Sequence, residues 1–194
     1  GGFYEPILTM IPHRDRVGQI RAYSEYLEAV LGQPIRGAWI AERVWEQHLA
    51  SAMVEAGVEF TVLDDFHFQR AGAASEDLFG YYLTEDEGNL LKVFPNSERM
   101  RYLVPWLEPH DAYEYLRHVA LTRPGAVVVC ADDGEKFGGW PETHEHIFTK
   151  GWLRRFCDML MGNRDWLEAT TFGAVVDSTG PLGKVYLPDA SYRE

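Results

Sequence analysis

Apolar and polar positions along this chain switch repeatedly between two periods. From about Asp15 to Val30, the residues Val17, Ile20, Tyr23, Leu27 and Val30 recur at three-to-four spacing, which predicts a helix with one apolar face. Asp15 is its expected N-cap and Gly32 its expected stop. Ala126-Val127-Val128-Val129-Cys130 is instead unbroken and short, the pattern of a strand buried on both faces. Between these lie a strand over roughly Arg36 to Ala41, a helix from about Glu46 to Ala56 closed by Gly57, and a strand from Val58 to Leu63. From Phe66 to about Arg101 the helical period fails. There Tyr81 to Thr84 and Leu90 to Phe94, joined across Glu85 to Asn89, predict an inserted β-hairpin. Helices follow over Asp111 to Leu121 and Trp152 to Met161, with strand candidates at Thr170 to Val176 and Lys184 to Leu187.

Strands alternating with helices imply parallel pairing through right-handed crossovers, an α/β architecture. Four apolar segments end in acids: Gly2-Phe3-Tyr4-Glu5, Trp39-Ile40-Ala41-Glu42, Phe60 to Asp65, and Cys130-Ala131-Asp132-Asp133. Parallel folds keep their chemistry at the C-terminal ends of strands, and a barrel points all those ends at one centre. The expectation is an incomplete TIM-like barrel forming a single catalytic domain over residues 1–194, with its acids around one pocket. No Gly-x-Gly-x-x-Gly or Walker-type loop follows any strand, so nucleotide binding has no support.

Composition narrows the partners. The chain is 46% hydrophobic and 13% aromatic, ordinary globular values, and no stretch is long enough to cross a bilayer. A formal net charge of −12 argues against nucleic acid and against an anionic membrane. The two cysteines, Cys130 and Cys157, are expected as packed thiols and not as a disulfide.

Glu42 is flanked by Trp39 and Trp45 and followed by Arg43, a cation that could hold a carboxylate ionised as a nucleophile requires. The competing reading is an ordinary Glu-Arg pair at a helix start. Asp133 sits in Asp132-Asp133-Gly134-Glu135-Lys136-Phe137-Gly138-Gly139-Trp140-Pro141. Adjacent acids raise each other's pKa, and a carboxyl so raised can protonate a leaving oxygen. Its alternative is a solvated acidic turn. Two such acids fit glycoside cleavage, with retention of configuration at a separation of about 5 to 5.5 Å. Trp39, Phe137 and Trp140 are candidate sugar-stacking rings, and Asp64, Asp65 and His67 could bind substrate hydroxyls. The scattered histidines make no zinc pattern, and neither metal nor cofactor is expected.

The segments Gly1 to Leu8, Ile11 to Arg16, Gly37 to Glu46, Leu63 to Phe68 and Asp132 to Pro141 together resemble the catalytic barrel of glycoside hydrolase family 57. The resemblance is to its 4-α-glucanotransferases and α-amylases. It implies a (β/α)7 barrel, no metal in the chemistry, Glu42 as nucleophile and Asp133 as general acid/base. It also puts Glu5 and Glu135 in the same site, which with Trp39, Arg43, Asp65, His67 and Trp140 makes the expected substrate-binding set. The substrate implied is an α-glucan or maltooligosaccharide. Family motifs expected ahead of Gly1 and beyond Glu194 are absent, as is the β-rich C-terminal domain of many relatives. With Met10 the first methionine, the chain reads as an internal piece of a longer, cytoplasmic protein. Such a piece is expected to be unstable and poorly active alone. Two other readings stay open: a metal-dependent deacetylase or α-mannosidase, admitted by Asp64-Asp65-Phe66-His67, and a non-catalytic glucan-binding relative.

Overall fold

A computed structural model describes residues 1–192. Arg193 and Glu194, at the end taken above for an internal break, lie outside the described residues. In chain order the regular elements are α1 (His13–Leu31), β1 (Gly37–Trp39), α2 (Leu49–Glu55), β2 (Phe60–Asp64), α3 (Asp65–Arg70), β3 (Tyr82–Asp86), β4 (Asn89–Asn96), α4 (Glu98–Leu103), α5 (Pro109–Thr122), α6 (Trp152–Gly162) and α7 (Phe172–Ser178). They divide into two compact units. One is Gly1–Asn96 with the described part of Phe172–Glu194, and the other is Ser97–Thr171.

The first unit is a mixed α/β structure on a four-stranded sheet of order β1-β2-β4-β3. β1, β2 and β4 run parallel, and β3 closes the edge antiparallel to β4. The expected hairpin is therefore present, and its second arm also serves as a strand of the parallel set. Its turn is two residues long, Glu87-Gly88, between the paired Asp86 and Asn89. Both central residues have positive φ (50° and 83°), the type I′ geometry that matches strand twist.

β2 is buried along its whole length, because alternate residues meet different layers. Leu63 joins Leu91, Val93, Ile20, Trp45 and Met53 in one core. Phe60 packs on the other face, its ring 5.9 Å from both Phe94 and Phe172. Gly37 is the cross-strand partner of Phe60, and a Cβ there would stand 2.2 Å from the phenyl ring. Only glycine lets β1 pass this aromatic.

The second unit is helical. Met100, Leu103 and Val104 pack with Ala112 and Leu116 of α5 and with the fully buried Trp152 of α6.

Several expectations need correction. Asp15 lies in the first turn of α1, whose N-cap is Pro12. α3 and α4, six residues each, fall where no helical period was legible, since so few residues carry too little pattern. Thr170 to Val176 is not a strand; α7 occupies most of it. A helix there brings Phe172 to within 4.9 Å of Phe94 and lets Asp177 pair with Arg36 (2.7 Å). Ala126 to Cys130 forms no strand of the sheet and has only an isolated bridge at Val129; Ser97 N–H donates to the Val129 carbonyl (3.1 Å), and only Val129 of the five is buried. Gly2 to Glu5 is a turn, closed by Glu5 N–H onto the Gly2 carbonyl (3.1 Å), and not a strand end. Both cysteines are free, as expected, but both are exposed, not packed. Lys184 pairs with Leu83 through a single parallel bridge.

Candidate active site

β1 ends at Trp39, and the chain then tightens into a 3₁₀ turn over Ala41–Arg43. Inside that turn Glu42 (φ 53°, ψ 14°) and Arg43 (φ 45°) are both left-handed. For residues with a Cβ this conformation costs about 1–3 kcal/mol each and persists only where the surroundings over-determine it.

The surroundings do so here. Arg43 is buried, and its Nε donates to Asp64 Oδ2 (3.2 Å). Its guanidinium carbon lies 5.2 Å from the Trp39 ring and 5.0 Å from the Tyr192 ring. Asp64 Oδ1 accepts from Asn96 Nδ2 (3.2 Å), and Asp64 and Asn96 are register partners at the ends of β2 and β4. Tyr192 N–H donates to the Glu42 carbonyl (3.1 Å). The Glu42 side chain itself is exposed. Arg43 is thus ion-paired with Asp64, a buried contact that anchors the turn.

His67 was expected to meet substrate hydroxyls, but its ring is fully enclosed. Nε2 lies 3.1 Å from the Arg43 carbonyl and Nδ1 3.2 Å from the Asp64 carbonyl. Burial pushes its pKa below the ordinary histidine value, against the opposing pull of the Asp64 charge and of carbonyls at Arg43, Asp64 and Ala190. Asp65 is half-buried as the first residue of α3, Trp39 is half-buried under Arg43, and Glu5 is exposed on its turn.

In the second unit, Asp133 precedes a 3₁₀ turn over Gly134–Phe137. The adjacent acids have separated roles. Asp132 takes both cations: Lys136 Nζ at 2.5 Å and Arg101 Nε at 3.4 Å. The Asp132 and Lys136 side chains are 6% and 4% exposed. Burial pushes the Asp132 carboxyl up, yet the Lys136 ammonium, the Asp133 N–H and Arg101 together hold it below the usual aspartate range. Lys136 also donates to the Arg101 carbonyl and stands 5.5 Å over the Trp106 ring. Asp133 is half-buried and outside this ion pair. Glu135 is exposed; its carbonyl accepts from the N–H groups of Gly139 (2.7 Å) and Trp140 (2.9 Å). Trp140 stacks on Trp106 at 6.2 Å and 13°, with both indoles more than 40% exposed.

Glu5, Trp39, Glu42, Arg43, Asp65 and His67 thus belong to the first unit, and Asp133, Glu135 and Trp140 to the second. Sequence reasoning missed Asn96, Tyr192 and Trp106. Asn96 and Tyr192 act through pairings between residues far apart in sequence, which leave no local pattern. Trp106 could have been flagged as an apolar ring in a short loop.

Comparison with known proteins places the chain in a family. The family model of glycosyl hydrolase family 57 matches residues 1–188. Over 194 residues the chain is 44% identical to alpha-amylase 1 of Dictyoglomus thermophilum, covering 100% of this chain and 28% of that protein. It is also 44% identical over 193 residues to the 4-alpha-glucanotransferase of Thermococcus litoralis, covering 29% of it. The crystal structure of the Thermococcus litoralis 4-alpha-glucanotransferase superimposes with a TM-score of 0.95 over 99% of this chain and 30% of that one. The alpha-amylase AmyC of Thermotoga maritima, 15% identical, shares the fold at a TM-score of 0.76 over 100% of this chain and 50% of AmyC. The chain belongs to glycosyl hydrolase family 57, and its mixed α/β fold is that of the family's catalytic domains. It spans under a third of the length of the curated relatives named here. Among the described residues no helix is long and apolar enough to cross a membrane.

Proposed function

We propose that this chain forms the core of a retaining α-glucan enzyme, a 4-α-glucanotransferase or α-amylase. Residues 1–194 make a single catalytic barrel domain in this reading. Glu42 attacks the anomeric carbon while Asp133 protonates the departing glycosidic oxygen. Asp133 then takes a proton from the incoming hydroxyl, which displaces Glu42. An incoming sugar gives transfer, and incoming water gives hydrolysis.

The observation that carries this reading is the left-handed turn that presents an exposed Glu42 just past a parallel strand. Left-handed strain at an exposed acid is the kind of feature found at active sites. The stacked Trp106 and Trp140 offer a flat apolar surface of the sort sugar rings bind, and Glu5, Asp65 and Glu135 complete the substrate set. Enclosure of His67 weakens the metal-dependent alternative, because the feature that suggested it now has both ring nitrogens against backbone. Two unpaired, exposed thiols suit a reducing cytoplasm, which completes the proposal.

The test is incubation of the full polypeptide with maltoheptaose and separation of the products by length. Longer and shorter chains together mean transfer; only shorter chains mean hydrolysis. No change in chain length, or stoichiometric zinc required for turnover, overturns the reading.

A further inference from the structure

We propose that His67 is a positioning residue for Glu42, acting through the main chain of Arg43; this rests on the reading of Glu42 as nucleophile. The ring has no exposed surface, so it does not itself meet a glucan. Its place is fixed because α3 begins at Asp65, directly after β2, and carries His67 back beneath the strand ends. From there one nitrogen faces the carbonyl of Arg43 and the other that of Asp64, at 3.1 and 3.2 Å.

Asp64 is also the residue whose carboxylate receives the Arg43 guanidinium. Arg43 is thus held twice, by its side chain through Asp64 and by its carbonyl through His67. With the residue after Glu42 fixed at both points, the left-handed pair at φ 53° and 45° has no slack to relax into an ordinary turn. An apolar ring of equal size would fill the same volume. It would remove the ring N–H that a carbonyl here accepts, and the position of the attacking carboxylate would no longer be set. A misplacement of about 1 Å at a reacting group slows chemistry by about 10²-fold while leaving binding nearly intact.

The experiment uses the full polypeptide and a fluorinated α-glucosyl fluoride. In the trapping step the C1–F bond breaks, fluoride departs, and a Glu42 oxygen bonds to C1. Trapping rate is read by intact mass, and the labelled residue by peptide mass spectrometry. His67→Phe is expected to slow trapping by about 10²-fold, with KM for maltooligosaccharide within about threefold of the wild type. His67→Gln, which retains an N–H donor, is expected to trap at about a tenth of the wild-type rate. Trapping by both variants at wild-type rate overturns the proposal, as does a KM rise that accounts for the whole loss. If His67→Phe does not fold, His67→Gln decides alone: about tenfold slower trapping at unchanged KM supports the role, and an unchanged rate sinks it. Failure to label Glu42 in the wild type overturns the nucleophile reading instead. Hydrogen exchange at the Tyr192 N–H, which bonds to the Glu42 carbonyl, then tests the clamp without chemistry. Exchange at least about tenfold faster in His67→Phe supports the clamp, and unchanged exchange overturns it.

Discussion

Four glutamates, Glu5, Glu42, Glu87 and Glu142, have positive φ, and two of them hold that conformation for different reasons. Glu87 (φ 50°) is left-handed because a two-residue hairpin turn demands it, and the demand is met within Asp86 to Asn89. Glu42 (φ 53°) is left-handed although nothing in its immediate sequence asks for it. Its conformation is held by Asp64 and His67 of the β2–α3 segment, Asn96 at the end of β4, and Tyr192, three other parts of the chain. Locally satisfied strain marks a turn, whereas strain maintained from a distance marks a place where one side chain must point a particular way.

The largest effect is expected where that side chain is removed. Glu42→Gln should reduce turnover of maltooligosaccharides by at least about 10³-fold, as loss of a nucleophile does. Glu42→Asn should abolish turnover as well, yet unfold at higher denaturant, by up to about 1 kcal/mol, because asparagine tolerates the left-handed region. A Glu42→Asn variant less stable than the wild type would erase the contrast with Glu87. Asp133→Asn should lose about 10²- to 10⁴-fold on glucans but far less on α-glucosyl fluoride, whose leaving group needs no proton. Equal losses on both substrates would remove Asp133 from the acid's role.

Breaking the long-range support comes next. Arg43→Leu leaves Asp64 charged, buried and without its guanidinium, and removal of one partner from such a pair costs about 3–5 kcal/mol. Denaturant unfolding of wild type and variant measures this. A loss below about 1 kcal/mol would show that the pair is not the buried anchor described here.

How much of this was legible in the sequence follows the same division. α1, α2, α5 and α6 show in the spacing of their apolar residues, and the hairpin shows in the turn residues Gly88 and Asn89, although the turn itself falls one residue earlier, at Glu87-Gly88. Glu42 and Asp133 could be singled out as acids after apolar segments. The fate of Arg43 and His67 could not, since it depends on β2 and β4 lying in register so that Asp64 meets Asn96. α7 was misread because Val175 and Val176 favour strand locally, while the contacts of Phe172 with Phe60 and Phe94 decide for a helix.

The Asp132–Lys136 pair gives a pH signature of smaller size, since it involves one carboxyl. The folded pKa of Asp132 is held below its unfolded value. The stabilisation is therefore whole above the ordinary aspartate range near 3.8 and disappears as pH falls through the lowered value. Lys136→Met should flatten this acid limb of the stability curve. An unchanged limb would assign acid sensitivity to other carboxylates.

The smallest expected effect is the one that completes the comparison. Glu87 and Gly88 form a turn in which both residues have positive φ, and Asn-Gly is the pair that best accepts it. Replacing Glu87 by Asn removes only a solvent-exposed carboxylate, because the turn is capped by the Gly88 N–H donating to Glu85 Oε1 (2.6 Å). Glu87→Asn should therefore stabilise the chain by about 0.5–1 kcal/mol and leave turnover unchanged, read by denaturation and by maltooligosaccharide assay. The same substitution at two left-handed glutamates then separates the residues. One change relieves strain without consequence for activity, and the other relieves it by abolishing activity. If Glu87→Asn also impaired turnover, local and distant sources of left-handed strain would no longer be a guide to which glutamate carries function.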